Sequence, residues 1–215
     1  VHGDLFLDCS GFRSMLLGGE LKEPFESLDH QFFVDRALAT RCSLRGEEPA
    51  PYTSAYAASS GWIWETPLRS RAGQGYTFSQ RHQSEDEAAA EFLDHLGGRG
   101  NEADLRLLTL RPGRHRRSWV ENCVAIGLAS SFIEPLESTS ILLIEYQLAT
   151  LLNQFPQNAH DTVRRDQFNR TVASVFDSVR DFVLAHYLLS GRRDTPFWAE
   201  VTALDPPESL SRRLQ

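Results

Sequence analysis

Residues 134–140 read EPLESTS. A proline at the first helical position leaves the next few backbone N–H groups without intrahelical partners. The helix dipole makes that end positive, so it can hold an anion. The hydroxyls of Ser138 and Thr139 stand beside the carboxylate of Glu137. Such a carboxylate could stabilise positive charge or accept a proton. The same pattern also suits an ordinary capped helix with acid in its first turn. Residues 61–67 read GWIWETP. Trp62 and Trp64 are two apart, so on a strand they share a face, where two large aromatics can simply fill a core. Residues 4–14 read DLFLDCSGFRS. This is a strand feeding a small-residue turn, the kind of α/β edge at which ligands sit, with Asp8 and Gly11 at the turn.

Punctuation and periodicity give the framework for these groups. Strands are expected over 4–8, 30–44, 53–68, 76–79 and 105–110, with loop over 18–23 and a turn at Gly73, Gln74 and Gly75. Ser84 followed by Glu87 is a capping box for a helix over 85–96 that stops at Gly97 and Gly98. The run 123–128 looks buried. A helix is expected from Glu134 and Pro135 to about Asn153, before Pro156. Another spans about 165–189, with Phe168, Val172, Val175, Phe176, Val179, Phe182 and Val183 at helical spacing. The tail, 201–215, is short and polar. Strand-rich sequence (1–130) thus precedes helix-rich sequence (131–215), and the expected fold is mixed α/β in a single, incomplete domain.

Composition narrows the function. The net charge is −7, which argues against a nucleic-acid binder. The cluster Arg111, Arg114, Arg116 and Arg117 reads as a solvated edge. No apolar run is long enough to span a bilayer. Cys9, Cys42 and Cys123 are odd in number and widely spaced, so neither disulfides nor a zinc site is expected, and the compartment is a reducing one, the cytoplasm. No close histidine pair suggests a metal.

Taken together, these segments resemble the flavin-dependent tryptophan halogenases. GLASSFIEPLESTSI (127–141) is similar to the stretch that carries that family's active-site glutamate and chloride site. Residue by residue, Glu137 matches the glutamate and Ser138 its neighbouring serine. Thr139 and Ser140 match the pair whose backbone lies at the chloride, with serine at 140 where the family often has glycine. Leu128 and Ile141 match positions that touch the flavin ring. Trp62, Trp64 and Pro67 match the WxWxIP signature, with Thr66 in place of isoleucine. That signature lies near the flavin and is thought to disfavour oxygenation of substrate. DLFLDCSGF resembles the family's late flavin-contacting strand, which implies that Asp8 and Gly11 lie near the cofactor.

The resemblance implies an enzyme that uses FADH2, supplied by a separate flavin reductase, with O2 and chloride or bromide. It would halogenate an electron-rich aromatic small molecule such as tryptophan or an indole. A hypohalous species would be steered onto the arene by a lysine and the glutamate. A homodimer is left open. The family's GxGxxG start and its catalytic lysine have no counterpart here, since Lys22 lies in a charged run after the DCSGF strand. The chain is therefore expected to be a piece that is inactive alone. Two alternatives stay open: a flavin monooxygenase of the same fold, and a non-catalytic binding remnant.

Overall fold

The computed structural model describes residues 2–46, 48–156 and 161–214. In chain order the strands are β1 (Phe6–Asp8), β2 (Phe25–Ser27), β3 (Arg36–Cys42), β4 (Ser54–Ala58), β5 (Gly61–Pro67), β6 (Ala72–Phe78), β7 (Arg106–Thr109), β8 (Gly113–His115), β9 (Trp119–Val120), β10 (Cys123–Ala125) and β11 (Ser131–Phe132). The helices are α1 (Glu85–Leu96), α2 (Thr139–Asn153), α3 (Thr162–Leu188), α4 (Pro196–Val201) and α5 (Glu208–Leu214). The chain divides into two compact units, each assembled from separate segments. Among the described residues no helix is long and apolar enough to cross a membrane.

The first unit comprises Val1–His30, Arg111–His186 and Pro206–Gln215. Its centre is a small sheet in the order β1-β10-β9, with β1 and β10 parallel. Trp119, Val124 and Ile126 from this sheet and its exit pack with Leu151 of α2 and with Phe168 and Val172 of α3. The apolar stripe expected on the last long helix is what buries these residues. A second sheet runs β11-β8-β2.

The second unit comprises Gln31–Leu110 and Tyr187–Asp205. Its five-stranded sheet has the order β4-β5-β6-β3-β7, and every pair is antiparallel. One face carries Leu38, Ile63, Tyr76 and Phe78, which pack against Ala88, Phe92 and Leu96 of α1. Helix α1 has the bounds its punctuation predicts. Ser84 accepts from the Glu87 N–H, the Glu87 side chain answers at the Ser84 N–H, and Gly97 closes the helix in the left-handed region.

Trp62 and Trp64 alternate with Ile63, so they lie on the sheet face away from α1. Their ring centroids are 5.9 Å apart. The Trp64 indole lies across Gly75 of β6, where an added Cβ would sit only 2.0 Å from the ring. Gly75→Ala is therefore expected to expel Trp64 from its seat and to cost about 2 kcal/mol from overpacking. A urea titration, together with the tryptophan emission maximum, checks both effects. An unchanged spectrum and midpoint would mean that the glycine is not what seats the ring.

Three sequence expectations need correction. Residues 53–68 form two strands, because Ser59 and Ser60 turn the chain and β4 folds back on β5. Gly73, Gln74 and Gly75 lie inside β6 and pair with Thr66, Glu65 and Trp64. Glycine there makes room for an indole rather than a turn, and the reversal falls at 68–71, where the Leu68 N–H bonds the Arg71 carbonyl. Residues 18–20 of the expected loop belong to a turn of π-helix, Met15–Glu20. Before the polar tail Thr195 caps α4, with Pro196 at its first position, and the tail itself holds α5.

Candidate active site

Strand β1 ends at Asp8, which is 2 % exposed. Its Oδ1 accepts from the Ser10 N–H at 3.0 Å and from the Ser10 hydroxyl. Its Oδ2 accepts from the N–H groups of Leu16 and Leu17 at 2.8 and 2.9 Å. Burial alone would raise its pKa, but the bonds from Ser10, Leu17 and Leu16 outweigh it and hold the carboxyl below its ordinary value. Asp8 thus spends both oxygens shaping the loop that carries Gly11, whose φ of 69° suits glycine. The Ser14 hydroxyl then donates to the Ala129 carbonyl at 2.8 Å, joining this loop to the 3-10 turn Gly127–Ala129.

From that turn the chain passes through β11 and Pro135 to a second 3-10 turn, Leu136–Ser138. The expected helix starts later than the proline suggests. Glu137 (φ 59°) and Ser138 (φ 54°) are both left-handed, and α2 begins only at Thr139. Two successive non-glycine residues in this region cost roughly 1–2 kcal/mol each. Such strain persists only where the surroundings impose it, and it clusters at functional sites.

The result is an uncapped helix start. The Ser138 side chain makes no capping bond, so the first N–H groups of α2 lack intrahelical partners. Thr139 is 4 % exposed, and its hydroxyl has no hydrogen-bond partner among the described residues. A buried hydroxyl beside free amides at a positive helix end fits a small anion. The Glu137 carboxylate, two residues earlier in the chain, is half exposed. Leu128 and Ile141 stand apolar and exposed at 37 % and 62 %.

What holds α2 in place is Gln147, which is 1 % exposed. Its carbonyl accepts from the Gly127 N–H at 2.8 Å, and its amide donates to the Ser130 hydroxyl at 2.9 Å. Ser130 in turn bonds Ser118 at 2.7 Å. Sequence reasoning missed Gln147. Its signal was a polar residue on the inward stripe Leu143, Gln147, Thr150, Leu151. Gln147→Leu keeps the bulk but strands the Gly127 N–H, and is expected to destabilise the fold by about 2–3 kcal/mol. Chemical denaturation measures this; a loss below about 0.5 kcal/mol would show that the bonds do not matter.

The structure brings Asp8, Gly11, Leu128, Ile141 and residues 137–140 together in the first unit, while Trp62 and Trp64 belong to the second. The fold is shared with flavin-dependent halogenases. BrvH, a flavin-dependent halogenase from Brevundimonas sp. BAL3, matches the whole chain with a TM-score of 0.95 at 44% identity, over 44% of its own length. The tryptophan halogenase family model matches residues 1–215, and the chain belongs to that family. Tryptophan 7-halogenase RebH from Lentzea aerocolonigenes is 43% identical over 91% of the chain and 37% of its own length. Tryptophan 6-halogenase ThaL from Streptomyces albogriseolus is 39% identical over all of the chain. The chain spans about two-fifths of such relatives, 41% in the case of ThaL.

Proposed function

We propose that the natural protein carrying this chain halogenates an electron-rich aromatic small molecule, using FADH2, O2 and chloride or bromide. The observation that carries this is the uncapped, strained start of α2, where an unpartnered buried threonine follows a half-exposed carboxylate by two residues. Bound flavin would supply the redox chemistry. The exposed apolar side chains of Leu128 and Ile141 suit contact with its ring, and Gly11 gives the loop shaped by Asp8 close approach without a side chain.

Within that reading each residue has a physical task. The amides and hydroxyl at Thr139 and Ser140 hold the halide against the helix dipole. Glu137 stabilises positive charge on the ring under attack and accepts its proton. Ser138 fixes the backbone turn that aims Glu137 outward. Trp62 and Trp64 act as the flavin-proximal pair that disfavours oxygenation of substrate. A separate flavin reductase, a cytoplasmic setting and a homodimer complete the proposal. The free thiols Cys9, Cys42 and Cys123 are in keeping with a reducing compartment. The two units are taken as parts of one incomplete domain.

Supplying the natural protein with reduced FAD, oxygen and either halide tests the reading. A halogenated arene, formed only when halide is present, is the expected product. Oxygenated product without halide would favour a monooxygenase of the same fold instead.

A further inference from the structure

We propose that His186 is a positioning residue for Glu137, its ring placed to hold the carboxylate in one orientation. This rests on the halogenase reading above. The two side chains approach at 4.0 Å, from His186 Nε2 to Glu137 Oε1. The other ring nitrogen, Nδ1, lies 2.9 Å from the Phe182 carbonyl oxygen one turn earlier on α3. A carbonyl can only accept, so Nδ1 carries a proton and donates. Nε2 then faces the Glu137 carboxylate, which also only accepts.

Both ring nitrogens thus look toward acceptors, which fixes the direction of the ring between Phe182 and Glu137. The ring is further fixed edge-on to Phe182, with centroids 4.8 Å apart. At 4.0 Å the contact with Glu137 is longer than a direct hydrogen bond. It is close enough to bias the rotamer of a half-exposed carboxylate.

Several other charged groups on these elements are spoken for or turned outward. On α3, Asp177 and Asp181 pair with Arg180. On α2, Glu145 is exposed. Among the described residues no second ion pair reaches either Glu137 or His186. Glu137 sits on a left-handed backbone turn that cannot readily shift. Its side-chain aim is therefore open to control by the imidazole beside it.

The test uses the natural protein and the variants His186→Gln and His186→Ala, with folding checked by circular dichroism and flavin titration. His186→Gln keeps a donor but loses the ring that Phe182 fixes in place. Its kcat should fall about tenfold with KM little changed, the pattern of an interaction felt mainly in the transition state. His186→Ala should fall further. If both variants keep the wild-type kcat, the role is overturned. If wild-type protein makes no halogenated product, or Glu137→Gln turns over normally, the underlying halogenase reading fails instead. Should alanine fail to fold, the glutamine variant alone decides.

Discussion

Glu137→Gln in the natural protein is expected to lower halogenation at least a hundredfold while flavin still binds. The substitution is nearly isosteric, and the side chain is half exposed, so packing is hardly disturbed. What disappears is the negative charge beside the start of α2 and the ability to take a proton. General-base and electrostatic assistance of this kind contributes on the order of 10²–10⁴ in rate. The backbone at 137 is already left-handed. Glutamine bears that strain as glutamate does, which separates this variant from a change to a β-branched residue. Flavin titration and single-turnover product analysis measure the two halves. Wild-type turnover would remove Glu137 from the reaction; loss of flavin binding would recast it as a structural residue.

Different parts of this arrangement were legible in the sequence to different degrees, for physical reasons. Helix α1 could be read residue by residue because its capping box and its glycine stop are local hydrogen-bond chemistry. The apolar stripe of α3 was legible because period and burial agree at Phe168, Val172 and Phe176. Phe182 stands on the expected apolar face, yet it is 51 % exposed. Periodicity gives an angle about the helix, and it does not say how far the covering layer extends.

The start of α2 was misplaced because proline marks a preferred helix entry but does not constrain the residues two and three positions later. Here Glu137 and Ser138 adopt a conformation that no sequence preference favours for either. Local rules failed at the point where function is proposed, which is where a strained site is expected to break them. Gly73 and Gly75 misled in the opposite way. They look like turn residues, and the smallness of Gly75 is explained only by an indole arriving from the neighbouring strand. The pairing of His186 with Glu137 joins residues 49 apart in sequence, the difference of their numbers, and nothing local announces it.

Asp8→Asn is the second substitution with a large expected effect, and its reach is structural. An asparagine can present one carbonyl where the carboxylate presents two oxygens. Its NH2 group must therefore face either the Ser10 donors or the N–H groups of Leu16 and Leu17. Donor against donor in a buried place, together with the loss of charge-assisted bonds, is expected to cost about 3 kcal/mol. The loop that holds Gly11 should loosen with it, and flavin affinity should fall. The effect also has a pH signature. The folded pKa of Asp8 is depressed, so its contribution to stability is fully present above the ordinary aspartate range, near pH ~4. That contribution is lost as pH falls through the depressed folded value. The stability gap between wild type and Asp8→Asn should accordingly be widest near neutrality and close as the solution is acidified. Urea unfolding at neutral pH and at about pH 3 measures that gap. A gap that stays constant would assign the loss to packing, and the absence of any gap would show that the loop holds its shape without the charge.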